Sequence, residues 1–147
     1  ARLLYDDLTR AELFVTIFYA RFDSQSNLLT FANAGHNPPL LFKGGSGSFS
    51  ELDAEGLVLG VKVDFHYEKR QATIDKNDVL VLFTDGIIES RSPDGEMFGV
   101  ERLKSVIADM AEQEPATIIE NVFKKLSEFT HTGNFQDDVS IVVVKFS

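Results

Sequence analysis

Two short apolar runs constrain the fold of this chain more than any other feature. Val79–Phe83 and Val139–Phe146 are dominated by Val, Ile, Leu and Phe, a composition typical of buried β-strands. Two amphipathic helical patterns lie between them, from Val100 to Met110 and onward from Pro115, a residue that suits the first position of a helix. The part before Val79 consists mainly of strand-like runs. Strands and helices are therefore segregated along the chain, which predicts an α+β fold.

The first half of the chain predicts a series of hairpins. Leu13–Phe22 is nearly all apolar or β-prone and predicts a strand that is buried on both faces. A polar turn at residues 23–27 and a second run make the first hairpin. Residues up to Arg10 predict the last turns of a helix. The predicted strands are Leu13–Phe22, Leu28–Ala34, Leu40–Lys43, Phe49–Leu52, Phe65–Ile74, Val79–Phe83 and Val139–Phe146.

Composition excludes several classes of function. The 147 residues contain no linker or internal repeat, which favours one domain over residues 1–147. A net charge of −9 argues against nucleic acid or an anionic membrane as the main partner. Cysteine is absent, so disulfides, thiolate metal sites and cysteine catalysis are excluded. The lack of cysteine fits a cytoplasmic protein, and no apolar run is long enough for a membrane helix.

The start of the sequence suggests a piece of a longer chain. The first residue is Ala1, and the segment that follows has the pattern of a helix end. We therefore interpret the domain as lacking its N-terminal part. A sheet edge or core left uncovered in this way should favour self-association, so we expect a homodimer or low solubility.

Aspartates lie next to both of the most apolar strands. Asp85 follows Val79–Phe83 after a single threonine, and Asp137 and Asp138 directly precede the last strand. If the two strands are antiparallel neighbours, Asp85 and Asp137 should meet. Clustered carboxylates repel each other unless a cation or protons intervene, and oxygen ligands suit Mg²⁺ or Mn²⁺. The alternative is that Asp85-Gly86 is an ordinary turn.

Two further residues could support such a site. Glu89 follows Asp85 by four residues, so it could lie one helical turn away and orient a ligand; a solvated surface glutamate is the alternative. His36 could act as a general acid or a ligand, although a loop histidine bonded to backbone is the more common case. A haloacid-dehalogenase-like site is excluded, because Phe83 occupies the position of its nucleophilic aspartate. The glycine-rich stretch at 44–48 lacks the lysine of a phosphate-binding P-loop.

Six motifs occur together and in a characteristic order. With them the chain resembles the SpoIIE-like branch of the PPM family, the type-2C-like metal-dependent serine/threonine phosphatases of bacteria, over essentially all its length. Each motif is weak alone, but the ordered set is specific. The motifs are Phe14–Phe18, Asn33–Pro39, Leu59–Val61, Phe83–Gly86 with Glu89, Gly95–Gly99 and Gln136–Val139.

The resemblance implies a fold and a metal site. It implies a sandwich of two antiparallel sheets flanked by helices, with two Mn²⁺ or Mg²⁺ ions between aspartates at one edge. Asp85 matches the family's T-D-G ligand and Asp137 the first acid of its late D-D motif, while Asp138 and Gly86 are weaker candidates. The family's early aspartate, which bridges both ions, would precede residue 1. A third ion is not expected, because His36 stands where other type-2C members have aspartate.

The resemblance also implies a reaction. A metal-activated water would hydrolyse phosphoserine or phosphothreonine directly, without a phosphoenzyme. The substrate would be a small regulatory protein, typically an anti-sigma-factor antagonist, and an upstream sensor or receiver domain would control the activity. The alternative is a non-catalytic regulatory or binding domain on the same fold.

Overall fold

The computed structural model describes residues 2–131 and 137–147, with side chains from residue 4 onward. Contacts divide the chain into two compact units, one formed by Ala1–Pro38 with Leu52–Ile74 and one by Pro39–Glu51 with Asp75–Ser147. The described elements are, in chain order, α1 (Arg2–Arg10), β1 (Ile17–Asp23), β2 (Leu28–Ala34), β3 (Leu40–Lys43), β4 (Ser48–Glu51), β5 (Arg70–Thr73), β6 (Val79–Phe83), α2 (Asp85–Ile88), α3 (Gly99–Met110), α4 (Pro115–Thr130) and β7 (Ile141–Lys145).

The first unit is built around a three-stranded antiparallel sheet in the order β1-β2-β5. Strand β2 lies in the middle, and its alternate residues Leu29, Phe31 and Asn33 are buried. This alternation is expected of a strand with one face toward a core. The β1–β2 hairpin was predicted from the sequence and is confirmed.

Strand β1 differs from its prediction in two respects. It begins at Ile17, since the strand-like pairing of residues 13–16 is limited to an isolated bridge between Val15 and Leu59. It was also expected to be buried on both faces, and this was wrong: Phe14 is 68% exposed and Tyr19 63% exposed. The physical reason is that an apolar, β-prone run favours a strand but does not supply a cover for it: β1 lies at the edge of its sheet, and side chains on both of its faces are exposed.

Strand β5 is shorter than the predicted Phe65–Ile74. The N–H of Glu68 donates to the carbonyl of Glu55 at 3.2 Å, and the Tyr67 hydroxyl donates to the carbonyl of Leu57 at 2.9 Å. Tyr67 and Glu68 thus bond to the loop that contains Glu55 and Leu57, and residues 65–69 lie outside the strand. The ladder with β2 begins only at Arg70.

The second unit contains a four-stranded antiparallel sheet in the order β4-β3-β6-β7, with α3 and α4 packed against it. The predicted strand at Val79–Phe83 and both predicted helices are confirmed. The final strand, expected to be buried, is an edge strand with Val142 54% exposed. The residues of α3 and α4 that are fully buried in the core of this unit are Leu103, Ile107, Ile118, Val122 and Leu126.

A buried carboxylate fixes the β3–β4 hairpin beside β6. Asp78 is fully buried, and it accepts the backbone N–H groups of Gly44 at 3.0 Å and Asp75 at 2.8 Å as well as the Lys43 ammonium. Burial acts to lower the pKa of Lys43, but the hydrogen bonds to Asp75 and Asp78 outweigh it, so the pKa lies above its ordinary value of 10.5. A buried charge with this many partners is stable in place, whereas an unpaired one would not be.

The two antiparallel sheets and the accompanying helices confirm the predicted α+β class. Among residues 2–131 and 137–147, no helix combines the length and the apolar character required to cross a bilayer.

Candidate active site

The pairing of β6 with β7 brings the two aspartate-bearing segments together. The strands are antiparallel, with Phe83 opposite Ile141. Thr84 continues the pairing: its N–H donates to the carbonyl of Ser140 at 3.1 Å, and its Oγ1 accepts the Ser140 N–H at 2.9 Å. The same hydroxyl donates to the carbonyl of Asp138 at 3.0 Å. The condition set from the sequence, that these strands be antiparallel neighbours, is therefore met.

Gly86 allows the two segments to approach closely. A Cβ at this position would lie 2.4 Å from the carbonyl oxygen of Asp138 and 3.1 Å from its carbonyl carbon. No side chain fits in that space, so glycine is required here for steric reasons and not for an unusual φ angle. The carbonyl of Gly86 accepts the hydroxyl of Ser90 at 2.6 Å.

Asp85 and Asp137 present exposed carboxylates at this edge. Oδ1 of Asp85 accepts the N–H of Gly86 at 3.1 Å, and Oδ1 of Asp137 accepts the N–H of Asp138 at 2.7 Å. These bonds orient both side chains. The second oxygen of each has no hydrogen bond to any residue that the structure describes. Asp138 is also exposed, and its described bonds are those of its backbone.

A small cavity of about 90 Å³ lies between these segments, lined by Gly86, Glu89, Ser90, Arg91 and Asp137. Glu89 thus lies beside Asp137, and its N–H donates to the carbonyl of Asp85 at 2.8 Å. Arg91 was not singled out from the sequence. The signal that could have found it is a basic side chain three residues after the end of α2, close in the sequence to the acidic Asp85 and Glu89.

The donor set fits a hard divalent cation but is incomplete. Asp85 and Asp137 offer only oxygen atoms, the ligands preferred by Mg²⁺ and Mn²⁺. Across 2–131 and 137–147, however, no group of three or more His, Cys, Asp or Glu side chains is close enough to hold an ion. The ligand roles of Asp85, Gly86, Asp137 and Asp138 remain predictions. Gln136, part of the same motif, lies outside the described residues.

His36 belongs to the other unit, within a tightly bonded turn. The Asn33 side chain donates to the His36 carbonyl and accepts the His36 N–H, both at 2.8 Å. Gly35 adopts a left-handed φ of +70° in this turn. The His36 ring is bonded through Nδ1 to the Thr16 hydroxyl at 3.2 Å. These contacts show that the start of the Asn33–Pro39 motif forms a turn. The expectation that His36 supports the metal site remains a prediction.

The family described as Stage II sporulation protein E (SpoIIE) matches residues 1–147. The chain belongs to the SpoIIE family. It is 31% identical to the phosphoserine phosphatase RsbU of Bacillus subtilis over 137 residues, which is 92% of this chain and 40% of that protein. It is 24% identical to the Stage II sporulation protein E of Priestia megaterium over 139 residues, or 93% of this chain and 23% of the relative.

Solved structures share the fold of this SpoIIE-family chain. The SiaA-PP2C domain of Pseudomonas aeruginosa matches with a TM-score of 0.78 and 21% identity, over 97% of this chain and 58% of that one. The phosphatase domain of SpoIIE from Bacillus subtilis, presoaked with Mn, matches with a TM-score of 0.68 and 20% identity, over 89% and 56%. At such identities the likeness establishes the fold. The chain also spans less than half the length of these two curated relatives.

Proposed function

We propose that this SpoIIE-family chain carries metal-binding residues of a phosphatase that hydrolyses phosphoserine or phosphothreonine on a regulatory protein. The observation that carries the proposal is the antiparallel pairing of β6 and β7, which puts Asp85 and Asp137 at one edge of the sheet. The name of RsbU, a phosphoserine phosphatase, supports the reaction class. The expected substrate is an anti-sigma-factor antagonist.

Asp85 and Asp137 would hold Mn²⁺ or Mg²⁺, with two ions in the intact domain and Asp138 and the Gly86 carbonyl as weaker ligands. When bound, such ions lower the pKa of a coordinated water and neutralise charge on a phosphoryl group. Thr84 fixes the spacing of the two ligand segments through its three hydrogen bonds.

The residues around the small cavity would position the substrate and the ligands. The Arg91 guanidinium donates to the carbonyl of Gly95 at 2.8 Å, which aligns the side chain and leaves other N–H groups to contact a phosphoryl oxygen. Glu89 is expected to orient the ligands from the cavity wall, and His36 from its own turn.

Calorimetric titration of Mn²⁺ into this chain tests the ligand assignment. We expect binding that is lost in Asp85→Asn, because this change removes one of few strong ligands, and retained in the matched control Asp53→Asn. Asp85 and Asp53 are both exposed, so neither change should unfold the protein. Equal affinities of Asp85→Asn and the wild type would contradict the assignment. If neither binds Mn²⁺, the same comparison in the full-length protein decides between a wrong assignment and a need for the family's early aspartate.

The alternative function is a regulatory or binding domain without turnover. The full-length protein distinguishes the two functions: an enzyme should release phosphate from a phosphoserine protein only with Mn²⁺ or Mg²⁺, and Asp85→Asn with Asp137→Asn should abolish release. Regulation of a partner that survives loss of both carboxylates would favour the non-catalytic function.

The proposal also covers the domain, the cellular compartment and the upstream control of this chain. We treat residues 1–147 as part of a single phosphatase domain in the bacterial cytoplasm, a compartment that the absence of cysteine allows. An upstream sensor or receiver domain would act through α1, the first element of this chain.

A further inference from the structure

A groove of about 700 Å³ lies in the second unit, between the loop at residues 92–98 and helices α3 and α4. Its apolar surface comes from Phe98, Val106 and Phe129, and charged side chains form the rim. Phe98 and Phe129 contact each other edge to face, with ring centroids 5.4 Å apart. A volume of this size is typical of ligand-binding clefts, and none of its residues lines the small cavity beside Asp137.

One wall of the groove is held rigidly by Arg102. Its guanidinium donates to the carbonyls of Met97 and Phe98, both at 3.0 Å, and to the Glu96 carboxylate at 2.7 Å. It also lies over the Phe129 ring, 4.9 Å from the centroid. The loop is closed on itself as well, because the Ser92 N–H donates to the Glu96 carbonyl at 2.9 Å. A wall fixed in advance lowers the ordering cost of binding.

The rim of the groove carries more negative than positive charge. Its carboxylates are those of Asp94, Glu96, Asp109 and Glu128, and its permanent cations are Arg102 and Lys125. Glu96 pairs with Arg102 at 2.7 Å and Glu128 with Lys125 at 3.0 Å. Asp94 and Asp109 form no ion pair with any described residue, and both are exposed. The groove therefore has an apolar floor and two carboxylates available to an incoming cation.

We propose that this groove binds a basic peptide segment of a protein partner. One aliphatic or aromatic side chain of the segment would insert against Val106 and Phe129, and flanking Lys or Arg side chains would pair with Asp94 and Asp109. An apolar anchor surrounded by complementary charge is the usual arrangement of a peptide-docking site.

The groove adjoins the small cavity of the candidate active site. Arg91 lines the small cavity, and the next residue, Ser92, lines the groove. A segment bound in the groove would therefore hold its protein close to the proposed catalytic site. Naming that partner as the phosphoprotein substrate rests on the proposed function, whereas binding of the peptide does not.

Fluorescence anisotropy with a labelled peptide tests the proposal. The probe is a synthetic peptide in which one leucine is flanked on both sides by lysines. The wild type should bind it, more weakly as salt is raised. Asp94→Asn with Asp109→Asn should weaken binding by about three- to tenfold, because two exposed ion pairs are lost. Ser105→Trp, at an exposed residue of α3 on the groove wall, should block binding by filling the space.

Matched controls separate this site from general attraction to an acidic protein. Glu112→Gln with Glu120→Gln removes the same charge from exposed positions outside the groove and should leave the affinity within about twofold. A peptide with serine in place of leucine should bind more weakly, and one with glutamate in place of lysine should not bind. No binding by the wild type, no effect of Ser105→Trp, or equal weakening by both charge pairs would overturn the proposal. The assay contains no metal, so its failure is distinct from failure of the Mn²⁺ titration.

Discussion

Replacing Gly86 with alanine tests the steric basis of the candidate site. The new Cβ would lie 2.4 Å from the carbonyl oxygen of Asp138, whereas real Cβ contacts seldom fall below 3.0–3.4 Å. The oxygen and the new methyl group must therefore separate by about 0.6–1.0 Å. Because the neighbouring atoms are backbone, a rotamer change cannot relieve the clash, and the backbone at Asp138, three residues before β7 begins, must move.

Moving the Asp138 backbone costs free energy of folding because it disrupts hydrogen bonds of Thr84. The hydroxyl of Thr84 donates to the displaced carbonyl at 3.0 Å and accepts the Ser140 N–H at 2.9 Å, and each such bond contributes about 1 kcal/mol. Overpacking adds about 1 kcal/mol or more, while alanine recovers up to about 1 kcal/mol over glycine in a helix. We expect a net loss of about 2 kcal/mol in the free energy of unfolding, or about 4–8 °C in Tm for a chain of this size.

Thermal unfolding followed by circular dichroism measures this loss, and Mn²⁺ calorimetry should show weaker binding in the same variant. The matched control is Gly45→Ala, since a Cβ at Gly45 meets nothing within 4 Å and its φ is not left-handed. We expect the control to lie within about 0.5 kcal/mol of the wild type. If Gly86→Ala unfolds at the same temperature as Gly45→Ala, the two segments are not in the contact described and the argument for the site fails.

Three further predictions concern stability and association. Asp78→Ala should lower the free energy of unfolding by about 3–5 kcal/mol in urea denaturation, because it removes one partner of a buried ion pair; a loss below about 1 kcal/mol would refute this. The raised pKa of Lys43 means that its stabilising contribution is complete below the ordinary value of 10.5 and is lost as pH rises through the folded-state value. Stability should therefore fall at strongly alkaline pH, and less so in Lys43→Met. The exposed side chains of Phe14 and Tyr19 should drive self-association, so sedimentation velocity should show a dimer that Tyr19→Lys weakens; a monomeric wild type would contradict this.

The elements best predicted from the sequence include the central strand β6 and the helix α3. Val79–Phe83 was predicted with its observed bounds, because a continuous apolar run pairs on both sides and packs against helices. The helix expected over Val100–Met110 begins one residue earlier, at Gly99. In both cases local propensity, periodicity and tertiary packing agree, which is the condition under which pattern-based prediction succeeds.

Strand β1 shows where the same reasoning fails. A run of apolar residues indicates that a strand can be buried, but it does not indicate which element covers it. Ile17–Asp23 pairs with β2 alone, and its residues are largely exposed. The same residues can form an edge strand or a central strand. The burial of β1 therefore depends on its neighbours in the fold, which hydrophobic periodicity does not identify.

The candidate site also has one part that was expected from the sequence and one part that was not. The approach of Asp85 and Asp137 was expected on the condition that the two strands are antiparallel neighbours, and the structure meets that condition. The role of Gly86 was not predictable, because it depends on the close passage of the Asp138 backbone, a contact between residues 52 positions apart in the chain. If Asp85 and Asp137 bind a metal ion as proposed, their two segments must be held together, and the close contact at Gly86 does this. A SpoIIE-family chain that kept both aspartates but had a larger residue in place of Gly86 should therefore lose its metal affinity along with its stability.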